Sequence, residues 1–446
     1  MGVFGVTVLP EWAQAEGIDP VLDRLQTAGV TDIATSPYVM EPDPDGSREP
    51  PADGGLGLVR LLDRPLWGER ALNVRTAPSY APDVSLYEGC PDQPPVPEAL
   101  TAREGETVGR FIDAAKGRGM RVYLQVQAAI PPGYRVQFSA VRPQDEGLGP
   151  DDAPVRGRVD GNASLASGAV LAYTSALLKD LAKAYPAVDG VRIDWPEYPP
   201  YNFRSLFLDF APAALVHAEV MGIDAARMRR DTLAVREALK TPRQPSGAIT
   251  IELLENYPGA ADLLRLRRHL TVRFVRKLRE ALPAHMALVP QTFPPPLHLL
   301  SGFDIAAIAP AVEGVGIKFY TMHWPMILGE WARALGGADW VAGALHDAFA
   351  PGGPRPETAD DFVYPAPDEP HTAGSAAIAA KMTAAREEAG RDADKLFAFT
   401  HAYGPLGDVV RRAEACWMAS EGRMWVNRYG YLSDEKIAAL GALVRG

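Results

Sequence analysis

Short apolar runs alternate with amphipathic helical stretches along all 446 residues, which predicts a parallel α/β fold. Eight such strand-helix units predict closure into a TIM (β/α)8 barrel. The competing open doubly wound sheet lacks its usual support, because no G-x-G-x-x-G follows the first strand and no G-x-x-x-x-G-K-[ST] occurs.

The first strand is Val3 to Leu9, followed by a helix around Pro20 to Ala28. The second, Asp32 to Tyr38, runs into a Pro-, Gly- and Asp-rich insertion over about 41–97, whose Trp67, Tyr80 and Tyr87 can anchor it as an ordered cover. A helix from Thr107 to Gly117 leads to the third strand, Arg121 to Gln127, and a second long polar loop spans about 131–161. The helix Ala166 to Ala184 delivers the chain to the fourth strand, which starts at Asp189. Gly190 opens that strand, Val191 and Ile193 are β-branched, and Pro196 and Pro199 close it, so Asp194 stands where strand becomes loop. Phe203 to Val220 reads as helix, and Leu263 to Leu282 carries apolar residues at helical spacing beside a basic face. The remaining strands are Met286 to Pro290, Val315 to Tyr320, Leu396 to Thr400 and Met424 to Arg428. Ser433 then caps a closing helix with Glu435 and Lys436 in its first turn. Residues 1–446 thus read as a single barrel domain, with the two insertions covering its C-terminal face.

With 47% hydrophobic and 23% charged residues, the chain can bury a large core. A net charge of -11, spread over scattered acids with no basic patch, argues against a nucleic-acid partner. Cys90 and Cys416 stand far apart, which suits a reducing compartment and neither a disulfide framework nor a cysteine metal site. No apolar run approaches the roughly 18 residues that a membrane span needs, and Met1 to Pro10 reads as a core strand rather than an export signal. A cytoplasmic protein without cofactor or metal is expected, acting on a small-molecule or oligosaccharide substrate.

In a barrel, residues just past each strand face one another across the C-terminal mouth. The first strand brings Glu11 and Trp12, the second Tyr38 and Glu41, and the third Gln125 and Gln127. The fourth brings Arg192, Asp194, Trp195, Glu197 and Tyr198, and the fifth Gln291. The sixth contributes Lys318, Tyr320, His323 and Trp324, the seventh His401 and Tyr403, and the eighth Asn427, Arg428 and Tyr429. Carboxylates, amides and aromatics of this kind suit a polyhydroxylated ligand, and two flanking carboxyls are what glycoside cleavage requires. Arg192 lies two residues before Asp194, on the same side of the strand, and is expected to hold its carboxylate charged. Glu197 is the provisional general acid, with Glu11, Glu41, Glu252 and Glu255 as rivals. His217 and His269 fall on helices and read as surface or packing residues.

The run Y-P-A-V-D-G-V-R-I-D-W-P-E-Y-P from Tyr185 to Pro199 resembles the fourth-strand signature of TIM-barrel glycoside hydrolases, and is similar to the second conserved region of the alpha-amylase superfamily. There a strand of the form G-[FV]-R-[LI]-D carries the nucleophile as its Asp and a supporting Arg two residues before. The resemblance implies those roles for Asp194 and Arg192. It implies neither of the other expected acids, since the fifth strand here ends in Gln291 and the seventh in His401. The expectation is a retaining two-carboxylate glycosidase. The alternatives are a Schiff-base lyase or aldolase using Lys318, and a carbohydrate-binding barrel without turnover.

Overall fold

The computed structural model describes residues 2–43, 63–70, 72–134, 141–155, 161–240, 255–337 and 339–446. Ten strands are numbered in chain order: β1 (Val3–Thr7), β2 (Asp32–Thr35), β3 (Tyr38–Pro42), β4 (Val74–Pro78), β5 (Arg121–Gln127), β6 (Gly190–Asp194), β7 (Ala287–Thr292), β8 (Val315–Phe319), β9 (Leu396–His401) and β10 (Arg423–Asn427). All but β3 and β4 close into one barrel, in the circular order β1, β2, β5, β6, β7, β8, β9, β10. Every neighbouring pair in it is parallel. The predicted TIM (β/α)8 barrel is therefore the fold, and seven of its strands fall within two residues of their expected limits.

The second strand is shorter than expected. Pro37 has no N–H to donate, so the ladder to β5 stops at Thr35 opposite Leu124, and Tyr38 instead opens β3. That strand pairs antiparallel with β4 as a separate ribbon. The described part of the first insertion is pinned to the helix Gly168–Ala184, where Asp180 accepts the hydroxyls of Tyr80 and Tyr87, each at 3.0 Å. Residues 44–62 and 71 of this insertion, residues 135–140 and 156–160 of the second, and Glu252 lie outside the described residues.

The helix expected over 203–220 is also corrected. A short turn of 3-10 helix, Phe203–Phe207, gives way to extended chain, and the α-helix Pro212–Val220 starts on its proline. Asp209 holds that break by accepting the Ala211 and Leu148 N–H groups at 2.9 and 3.3 Å. The basic helix runs over Pro258–Ala281, and the closing helix Asp434–Arg445 is capped by Ser433 as expected, its hydroxyl 3.2 Å from the Lys436 N–H.

Large side chains fill the barrel because small ones face them. A Cβ on Gly5 would come within 2.2 Å of Trp425, and one on Gly316 within 2.5 Å of Phe399. A second hydrophobic cluster lies outside this core and was not foreseen. It joins Trp195 and Tyr201 after β6, and Phe293 after β7, to Ile327, Trp331 and Phe362 from the segment between β8 and β9. That segment carries the helices His323–Ala334 and Asp339–Phe349, so the chain has a third elaboration at the C-terminal ends of the strands.

Candidate active site

Asp194 ends β6, and its carboxylate takes two donors. The Trp195 N–H lies 3.0 Å from Oδ1, and the Lys318 ammonium on β8 lies 2.9 Å from the same oxygen. Lys318 is 3% exposed, and its Nζ also stands 3.7 Å from Glu197 Oε1 and 4.5 Å above the Phe293 ring. One lysine thus links both carboxyls of the fourth-strand motif.

Glu197 is fully buried. Its Oε2 accepts the Thr292 and Ser301 hydroxyls, each at 2.6 Å, whereas Oε1 has no hydrogen-bond partner among the described residues. Burial raises its pKa, and the Lys318 charge and the two hydroxyls offset this only in part. Thr292 comes from the end of β7 and Ser301 from the helix Leu297–Ser301, so three segments fix one carboxyl group. Asn162 holds the loop in between by donating to the Trp195 and Glu197 carbonyls at 3.0 and 3.2 Å.

The ion pair expected between Arg192 and Asp194 is not formed. Two residues along a strand are separated by about 6.6 Å, and the guanidinium stays in its own deeper layer. There its Nη1 donates to Thr7 Oγ1 at 3.2 Å, and its central carbon sits 4.5 Å and 4.2 Å from the Phe399 and Trp425 ring centres. Nε and Nη2 have no hydrogen-bond partner among the described residues, and burial pulls the guanidinium pKa down to about 10. The cation beside Asp194 is Lys318.

Around this pair the mouth is lined by polar groups that lack partners among the described residues: the Gln125 and Gln127 carbonyls, both ends of Gln291, the Asn427 carbonyl and the Tyr320 hydroxyl. Gln127 stands in register with Asp194, and Gln125 with Arg192. Burial and the Asp194 charge both push the Tyr320 phenol upward. An aromatic wall completes the rim: Trp195 meets Tyr201 edge-on at 5.9 Å, and Tyr201 meets Phe293 at 5.5 Å. Tyr201 also exchanges a hydrogen bond with His323 Nδ1 at 3.2 Å. Lys318, Tyr320, His323 and Trp324 share with Tyr201, Phe293 and Ile327 a cavity of about 10 Å³, room for one water.

Other expected residues are placed differently. His323 and Trp324 belong to the first turn of a helix rather than to a loop. Tyr198 faces away from the mouth, its hydroxyl 3.2 Å from Asp209 and its ring under Arg267. Tyr403 donates to the Pro365 carbonyl at 2.9 Å. Glu11 ends up three strands round the barrel from Asp194, with the Tyr38 hydroxyl on its Oε2 at 2.9 Å, and Trp12 packs edge-on against Tyr429 at 6.1 Å. Glu41 lies in the antiparallel ribbon and is ion-paired with Arg75 and Arg103. Glu255 is exposed. His401 is buried beside Tyr320 and Tyr431, its Nδ1 accepting the Tyr403 N–H at 3.1 Å, and burial depresses its pKa so that it stays neutral with the proton on Nε2. Among the described residues no three His, Cys, Asp or Glu side chains converge to hold a metal ion. Thr292, Ser301, Asn162, Tyr201 and Phe293 were missed. Only Thr292, directly after Gln291 in a strand-like run, carried a signal that could have been followed.

No protein-family model and no curated protein sequence matches the chain. Solved structures resemble it over nearly its whole length. The catalytic domain of beta-amylase from Paenibacillus polymyxa has a TM-score of 0.52 at 9% identity, with 98% of this chain and 94% of that one covered. Beta-galactosidase from the psychrophilic Marinomonas ef1 has a TM-score of 0.51 at 13% identity, covering 96% of this chain, which spans 54% of that enzyme's length. The glycoside hydrolase domain of PgaB (BpsB) from Bordetella bronchiseptica has a TM-score of 0.49 at 12% identity, with 97% and 95% covered. The beta-amylase and beta-galactosidase structures thus share the barrel architecture of this chain.

Proposed function

We propose that the protein is a glycoside hydrolase in which Asp194 is the nucleophile and Glu197 the general acid. The observation that carries this reading is the bridge of Lys318 to both carboxyls. Its distances of 2.9 and 3.7 Å keep Asp194 Oδ1 and Glu197 Oε1 no more than about 6.6 Å apart. Separations of about 5–5.5 Å belong to retaining enzymes and those above about 6.5 Å to inverting ones, so this bound favours retention.

The environments of the two acids divide their roles. Asp194 accepts a backbone N–H and a lysine charge, which suits an ionised nucleophile. Glu197, buried and raised in pKa, holds a proton more tightly than an ordinary carboxyl, and because both hydroxyls donate to Oε2 that proton belongs on Oε1. Asp194 then bonds to the anomeric carbon as the glycosidic bond breaks, and Glu197 gives its proton to the leaving oxygen. In the second half Glu197 takes a proton from water, and that water displaces Asp194 from the same carbon. The unpartnered amide oxygens of Gln125, Gln127, Gln291 and Asn427 accept hydrogen bonds from sugar hydroxyls.

The Schiff-base alternative draws on Lys318 too, but a lysine held between two carboxyl groups is better suited to aligning them than to attacking a carbonyl. The test is hydrolysis of a panel of aryl glycosides. The wild type is expected to cleave at least one, and Asp194→Asn to lose roughly 1,000-fold or more of that rate. Full turnover by Asp194→Asn ends this mechanism, and borohydride trapping of a carbonyl ligand on Lys318 transfers the reading to the lyase.

A further inference from the structure

The outer face of the helix Pro258–Ala281 concentrates positive charge in a protein whose net charge is -11. Arg265, Arg268, Arg273 and Arg276 all line one open groove of about 420 Å³, together with His269. Their spacing of three, five and three residues keeps them on one side of the helix. Two of the four charges are neutralised internally: Arg268 by Asp304, and Arg265 by Asp262 at 2.8 Å. The other two are not. Arg276 gives one N–H to the Ala307 carbonyl at 3.3 Å, and Arg273 keeps a buried Nη1 without a hydrogen-bond partner among the described residues.

Arg273 also faces two imidazoles rather than an acid. His269 and His217 stand ring to ring at 5.6 Å, and burial together with the Arg273 charge lowers both of their pKa values, so the pair stays neutral beside the guanidinium. His269, with Met221 and Val272 beside it in the groove, offers apolar surface next to planar cationic forks. Guanidinium forks recognise carboxylate and sulfate oxygens in pairs. Arg273 and Arg276, the two that keep charge to spare, stand one turn apart on the helix, with a rise of about 4.5 Å between them.

We infer that this groove is a second binding site, on the outside of the barrel, for a segment of acidic glycan bearing carboxylate or sulfate groups. The choice of a glycan over other anions rests on the glycosidase reading, whereas the need for an anionic group rests on the arginines alone. Arg273 and Arg276 grip the anionic group, and His269 with Met221 and Val272 takes the adjoining sugar face.

The test is titration calorimetry on the full-length Asp194→Asn protein, which binds without cleaving, using an oligogalacturonate, a sulfated oligosaccharide, a neutral oligosaccharide of equal length and a single-stranded oligonucleotide. One of the two acidic glycans is expected to bind, to weaken as salt rises, and to lose at least tenfold in affinity in Arg273→Glu/Arg276→Glu. The neutral glycan is expected to show no loss on that substitution. Equal or tighter oligonucleotide binding overturns the glycan assignment, and binding of neither acidic glycan overturns the site. Because the readout is binding away from the mouth, failure to cleave any glycoside leaves this result standing, and loss of binding here leaves cleavage at Asp194 untouched. Arg273→Gln/Arg276→Gln, which keeps polarity without charge, guards against misfolding in the double glutamate variant and is expected to lose affinity as well.

Discussion

The two sides of the barrel mouth carry similar residues and use them differently. After β6, β7 and β8, two acids share one buried lysine, and one of them keeps an oxygen without a partner. After β1 and β2, Glu11 is held by the Tyr38 hydroxyl and Glu41 by two arginines. An acid at a strand end is therefore not a catalytic group by position alone. What separates the sides is which donors meet each carboxyl and whether any capacity is left over for a substrate.

The largest effect should come from removing the shared cation. Lys318→Met leaves two carboxyls facing each other in a dry site, and breaking a buried pair in this way costs about 3–5 kcal/mol. Denaturant unfolding is expected to show that loss together with loss of turnover. Adding Asp194→Asn to the same chain should restore part of the stability and none of the activity, and an additive double variant would break the proposed coupling.

A second effect concerns pH. Thr292 and Ser301 hydroxyls hold the raised Glu197 pKa down, so Thr292→Val with Ser301→Ala should raise it further and move the alkaline limb of kcat upward, since a general acid fails as pH climbs through its pKa. The sign for stability is opposite in use. Folded Glu197 keeps a proton that the unfolded chain sheds near pH 4.3, so its contribution falls as pH rises from there through the folded value. Glu197→Gln should flatten that slope in unfolding free energy measured across pH 4 to 8.

Smaller effects belong to the other side of the mouth. Glu11→Gln loses one charged acceptor for Tyr38 and should cost about 1–2 kcal/mol with turnover changed only a few-fold. Glu41→Ala should stay within about 1 kcal/mol and leave turnover unchanged, as is usual for partly exposed ion pairs. A collapse of activity in either variant would erase the contrast between the two sides.

Most of the barrel was legible because its signals are local. β-branched runs bounded by Gly and Pro gave strand ends to within two residues, and Ser433 announced its own helix. Pro37 is visible as well, and its missing N–H outweighs the apolar run around it, ending the ladder at Thr35. At the site, parity correctly put residues 192 and 194 on one side but said nothing of layers, so Arg192 was assigned to an acid that Lys318 holds. The partners of Glu197 come from 95 and 104 residues downstream, and the Tyr201–Phe293–His323 wall joins three strand ends. Such long-range pairings leave no period in the sequence.

The most direct test of the account is the stereochemistry of cleavage joined to the site of any adduct. With an aryl glycoside that the protein hydrolyses, NMR of the first-formed sugar is expected to show the anomeric configuration retained, and mass spectrometry of quenched enzyme to place a glycosyl adduct on the peptide containing Asp194. An inverted product, or an adduct on any other residue, would contradict it.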